Sequence, residues 1–150
     1  MNFVEQKVAE TINESWSWIV PEIVNVLAVN SMGNCIVKDC NEVYWRLIPE
    51  ELTINKIASN SDELSEYLND SEIRDDWKLL GLINPAEDHF GPLEIGQCYG
   101  MVTPAIMGGE YSVNNLRVKS VYEYLSWSGS FAYQTKDLKD GDKIELCITD

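Results

Sequence analysis

Apolar residues Phe3, Val4, Val8 and Ile12 fall on one face of a helical period, and the pattern predicts an N-terminal helix over residues 2–14. Ser15-Trp16-Ser17-Trp18 follows, and Pro21 closes the element. From Ile23 the period changes. Val24, Val26 and Ala28 alternate with Asn25, Leu27 and Val29, as in a mostly buried strand. Ser31-Met32-Gly33-Asn34 has turn chemistry, and Cys35-Ile36-Val37 reads as a second strand. After the turn Asp39-Cys40-Asn41, the run Val43 to Ile48 is rich in aromatic and branched residues and reads as a third. Beyond Pro49-Glu50-Glu51, Thr53 to Ile57 is the fourth. Connections this short predict an antiparallel meander.

Helical spacing returns over residues 60–82. Asn60 is placed to cap a helix with Glu63 as its reciprocal partner, and Leu64, Tyr67 and Leu68 form its apolar face. A second helix starts at Asp70 or Ser71, with Ile73, Trp77, Leu79 and Leu80 expected inward. Residues 84–115 are rich in glycine and proline and are expected to be irregular, apart from a short strand over Gln97 to Val102. Ser120-Val121-Tyr122-Glu123 is a capping box opening a helix whose one face carries Val121, Tyr124, Leu125, Ser128, Phe131 and Ala132. Gly129 inside it costs about 1 kcal/mol relative to alanine, a cost that close packing would offset. Lys143 to Ile148 alternates like a terminal strand. The expected fold is a single α+β domain, with an antiparallel sheet over 23–57 packed by several helices, chiefly those near 61–82 and 120–135. Trp45 and Trp77 are expected where sheet and helices meet.

Composition narrows the function classes. The 150 residues are 45% hydrophobic and 24% charged, a globular balance that excludes disordered and fibrous classes. No apolar run approaches the roughly 20 residues that span a bilayer. The N-terminus lacks the basic and apolar regions of a secretory signal, so a cytoplasmic location is expected. The net charge is −14, which disfavours nucleic acid and anionic membrane as partners and favours a cationic protein. Residues 61–90 carry nine acids against two bases, so half of the net charge sits in one fifth of the chain. A solvated helical face explains that concentration, and so does a docking surface for a basic protein.

Candidate chemistry is sparse. Cys35, Cys40, Cys98 and Cys147 form no C-x-x-C pair and are expected to be four free thiols, small buried apolar residues with no metal. The single histidine, His89, removes sites that need a histidine pair, although a cysteine–histidine dyad built in space stays open. Gly108-Gly109-Glu110 lacks the following lysine of a phosphate-binding loop. Asp75 and Asp76 are adjacent on a helix and diverge by about 100°, a poor geometry for an acid/base pair. No catalytic, cofactor or metal residue is assigned, and no enzyme activity is expected.

One stretch carries a recognisable pattern. Gly96-Gln97-Cys98-Tyr99-Gly100-Met101 is followed by Pro104-Ala105-Ile106-Met107-Gly108-Gly109, then Asn115 and the helix from Ser120. This resembles the Tdi-type family of type VI secretion immunity proteins, whose pattern runs G-x-x-Y-G-F, P-A-L-G-G and N ahead of a helix. Asn30 to Asn34 and Ile57 to Glu63 are similar to further parts of that family. The resemblance covers roughly residues 24–148 and is strongest over 90–132. Met101 stands where the family has phenylalanine. Longer members have an additional N-terminal region, so the resemblance implies a trimmed, single immunity-protein-like domain over residues 1–150.

The resemblance implies a protein that binds a toxic effector, a nuclease among the candidates, and blocks it by protein–protein contact. A nuclease is basic because it binds phosphate, and the −14 field would steer the two together. The partner-binding candidates are the acidic helix residues Glu66, Asp70, Glu72, Asp75 and Asp76, together with Tyr99 and Tyr111 in the glycine-rich stretch. Two alternatives stay open at this level: an acidic scaffold domain with no toxin, and an enzyme whose site lacks a sequence signature. The glycines of the motif have a purely structural reading as well, since they permit tight turns and close backbone packing.

Overall fold

Helix α1 (Phe3–Ser15) opens on a capping box: Asn2 Oδ1 accepts from the Glu5 amide at 2.8 Å, and Glu5 Oε2 accepts from the Asn2 amide at 3.1 Å. The structure, a computed structural model, describes residues 1–138. The terminal strand expected over 143–148, and Cys147 within it, lie outside the described residues. After α1 come β1 (Ile23–Val29), β2 (Cys35–Asp39), β3 (Tyr44–Ile48) and β4 (Thr53–Ala58), paired antiparallel in the order β1-β2-β3-β4. This is the expected meander. Asp39 pins the β2–β3 turn, its carboxylate accepting from the amides of Asn41 and Val43 and from Trp45 Nε1.

The helices cover both faces of this sheet. Cys35, Val37, Leu47 and Ile54 pack with α1 and with α5 (Val121–Thr135), whose Val121, Tyr124, Leu125 and Ala132 are buried against them. Ile36 and Ala58 point the other way, toward Leu64 of α2 (Ser61–Asn69), with Tyr67 and Trp77 packed beside them. The strand alternation thus becomes two cores, one on each side. Trp77 does bridge sheet and helix, lying on α3 (Ser71–Lys78), while Trp45 packs on the α1–α5 side. Gly129 is the point where α1 and α5 touch: a Cβ there would come 2.5 Å from the Ser15 carbonyl oxygen. Close packing is therefore the reason that a residue costly to a helix occupies its interior.

A second, smaller sheet pairs β5 (Gln97–Met101) with β6 (Leu116–Ser120). It is tied to the first through the β1–β2 turn, where the Ser31 carbonyl accepts from the Tyr99 amide at 2.7 Å. Its core contains Met32, Tyr99, Met101 and Leu116, and is closed by Leu82, Ile83 and Ala86 of α4 (Leu80–Phe90).

Helix α4 corrects the sequence reading in two ways. Residues 84–90 are helical where irregular chain was expected. Pro85 lies inside the helix, and the i−4 carbonyl it cannot bond belongs to exposed Gly81. Packing of Leu82, Ile83 and Ala86 outweighs the local signal. Leu80, expected inward, is 55% exposed. The cause is Leu79, which adopts φ 44°, ends α3 and starts α4 in a new direction. The helical period that placed Leu80 on the face of Trp77 does not survive that break.

Candidate functional site

The sheet face under α3 carries a buried polar chain. Arg46, on β3, is 6% exposed, and its Nη2 donates to Asn34 Oδ1 at 3.0 Å and to Asp76 Oδ2 at 2.9 Å. Its guanidinium also lies 5.3 Å from the Trp77 ring centre. Asn34 Nδ2 donates to both oxygens of Glu50 at 3.1 Å. Glu50 is 2% exposed, in a short turn of 3₁₀ helix over Pro49–Glu51. Burial pushes its carboxyl up to about 7, against the opposing pull of its own backbone amide, Asn34 and Arg46. Asp76 closes the chain at the surface.

The acidic candidates are therefore not equivalent. Glu66, Glu72 and Asp75 are exposed on α2 and α3. Asp70 caps α3, accepting from the amides of Glu72 and Ile73 at 2.9 and 3.3 Å. Asp76 holds Arg46. Reversing Asp70 or Asp76 would cost folding stability; the helix start at Asp70 was expected, but the Asp76 contact with Arg46 has no local signal.

The glycine-rich motif is built around its asparagine. Asn115 Oδ1 accepts from the Thr103 amide, and its Nδ2 donates to the carbonyls of Thr103 and Glu110, at 2.9, 2.9 and 3.0 Å. The side chain clasps both ends of the loop that contains the 3₁₀ turn Ala105–Met107. Gly109 sits so close inside the loop that a Cβ would collide with the Thr103 carbonyl oxygen. Tyr99 corrects a further expectation. It is 1% exposed in the small core, and its hydroxyl donates to the Gly91 carbonyl at 2.5 Å, so its ring offers no contact surface. Strand β5 is buried on both faces, so Tyr99 fills the small core while Cys98 packs into the main one.

Tyr111 remains at the surface, 46% exposed, where it lines an open groove with Asp75, Lys78, Leu79, Leu80 and Gly81. Its hydroxyl is 3.5 Å from Glu51 Oε1. Burial, with the carboxylates of Glu50 and Glu51 nearby, pushes the phenol upward, so it remains a neutral hydrogen-bond donor. The structure thus brings Tyr111 and Asp75 together in one groove, which Tyr99, Glu66 and Glu72 do not line. Leu80, the apolar wall of the groove, has no sequence signal beyond the helical period that pointed it the wrong way. Asn34, Arg46 and Glu50 were equally silent, since each looked like an ordinary turn or strand residue.

The reactive groups offer little chemistry. Cys35, Cys40 and Cys98 are free; Cys35 and Cys98 are buried as expected, whereas Cys40, in the β2–β3 turn, is exposed. Burial drives the thiols of Cys35 and Cys98 up, the latter to about 12, which leaves them un-ionised and poor nucleophiles. His89 is exposed at the end of α4, edge-on to Phe90. Among the described residues no group of three or more His, Cys, Asp or Glu side chains could hold a metal ion. No described helix is long and apolar enough to cross a membrane.

Comparison with known proteins adds to this geometry. The family model described as T6SS immunity protein Tdi1, C-terminal, matches residues 58–132, from the end of β4 to most of α5. The fold is similar to the crystal structure of Atu4351 from Agrobacterium tumefaciens, with a TM-score of 0.61 and 14% identity. That likeness covers 84% of this chain and 64% of the other, so the chain spans less than two thirds of that relative's length. At this identity the likeness shows the fold alone. No curated protein matches the chain.

Proposed function

The chain belongs to the family of T6SS immunity protein Tdi1, C-terminal, and from that membership we propose that it binds a cognate toxin effector of type VI secretion and neutralises it by protein–protein contact. The family match over residues 58–132 is the observation that carries this reading. The partner is a basic protein, a nuclease by class. The −14 net charge supports that choice, because phosphate-binding surfaces are cationic and such a field accelerates their capture. The chain acts without cofactor, metal or catalysis, as one immunity-protein-like unit over residues 1–150. Its place is the cytoplasm, where an incoming nuclease would meet its substrate; free thiols at Cys35, Cys40 and Cys98 suit a reducing compartment.

Glu66, Glu72 and Asp75 supply the steering charges, since each is exposed and none is tied to a cap or to Arg46. The test is a mixture of this chain with the protein encoded by the gene next to its own, read as complex formation and as loss of that protein's toxicity. A triple variant, Glu66→Lys, Glu72→Lys and Asp75→Lys, should associate about 10-fold more slowly at low salt, with the difference shrinking as salt rises. An unchanged rate at both salts would show these residues to aid solubility alone. Absence of any complex would remove the immunity reading.

A further inference from the structure

The groove between the α3–α4 junction and Tyr111 is apolar at its centre and acidic at its edge. Leu80 is 55% exposed there, and Tyr111 lines the same groove. Two features make this more than an incidental surface leucine. First, the backbone turns it outward at a cost: Leu79 holds φ 44°, a left-handed conformation that disfavours a side-chain-bearing residue by about 1–2 kcal/mol. Second, the neighbouring loop is held by Asn115 through three hydrogen bonds just where it delivers Glu110 and Tyr111, so the aromatic wall is preformed.

Charge decides the occupant. Asp75 lines the groove, Glu51 touches the Tyr111 hydroxyl, and Glu110 is exposed next in the chain to Tyr111. Asp75 is balanced within the lining by Lys78, so the excess negative charge comes from Glu51 and Glu110 on the Tyr111 side. We infer that this groove is the anchor point for the toxin, receiving a segment that carries an apolar side chain beside an arginine or lysine. This rests on the toxin-binding reading above and assigns it a place. The apolar side chain packs between Leu80 and Tyr111, and the cation pairs with Asp75 or Glu51. Tyrosine on one partner and arginine on the other, ringed by polar groups, are residue types in which interface hot spots are enriched.

Binding of the purified protein encoded by the gene next to this chain's own distinguishes the outcomes. Leu80→Glu and Tyr111→Ala, both at exposed positions, should each weaken binding roughly 30-fold or more, chiefly through faster dissociation. Glu66→Lys, outside the groove, should change only the association rate. Melting curves check that the variants fold, and Leu80→Ser replaces Leu80→Glu if the latter does not. If the unaltered chain binds toxin and the groove variants bind within about threefold of it, the anchor lies elsewhere while the immunity reading stands. If the unaltered chain binds no toxin, that reading falls and the groove assignment falls with it. If sedimentation shows a dimer that Leu80→Glu dissociates, the groove joins two copies of this chain, and the toxin is not its occupant.

Discussion

Asn34 Nδ2 lies 3.1 Å from each oxygen of Glu50, so one amide group serves a whole carboxyl that is almost completely buried. The arrangement satisfies both oxygens yet leaves the charge poorly solvated. Arg46 stands behind it, on the other end of the same amide, as the cation of the cluster.

Stability should therefore fall as pH rises through the range between the ordinary glutamate value and about 7. In that window the unfolded chain has released the Glu50 proton and the folded chain still holds it, so raising pH favours the unfolded state. The full effect is about 3 kcal/mol, reached above pH 7. Glu50→Gln should lack this component. Denaturant unfolding of both proteins from pH 4.5 to 8 checks it: the variant gains relative to the natural chain as pH rises. A constant difference would show that the Glu50 carboxyl titrates alike in the folded and unfolded chains.

Two glycines should respond oppositely to alanine. At Gly129 the new Cβ would press on the Ser15 carbonyl, with Ser15 Cβ at 2.8 Å, and α1 must move away from α5. The loss is roughly 1–3 kcal/mol, more than the helix propensity returned. At Gly81, in the first turn of α4, nothing lies within 4 Å, and the substitution should stabilise by about 0.4–1 kcal/mol. Urea midpoints measure both, and a loss at Gly81 would count against the open surface described there.

Asn115→Ala should release the loop from Thr103 to Glu110 without unfolding the sheets. Three hydrogen bonds are lost, at a cost of about 1–3 kcal/mol, and the rest of the small core does not depend on them. Amide exchange should quicken at Thr103 while Tyr99, bonded to Ser31, keeps its protection. Equal loss at both positions would mean that the loop and the strand open together.

The elements legible in the sequence are those whose information is local. Four strands over residues 23–57, the caps at Asn60, Asp70 and Ser120, and the apolar faces of α1 and α5 all follow from period and from side chains bonding amides two or three residues away. The family motif was legible too, but not what Asn115 does in it, because its contacts reach back 12 residues. Tertiary structure alone decided the rest. Arg46 meets Asn34 and Asp76 across 12 and 30 residues, and Asn34 meets Glu50 across 16. Helix α4 runs through Pro85 because three buried side chains repay the missing bond. The left-handed turn at Leu79 reversed the facing of Leu80, and β5 turned Tyr99 inward. Composition and period record which residues prefer burial, but the packing of distant segments determines which of them find it.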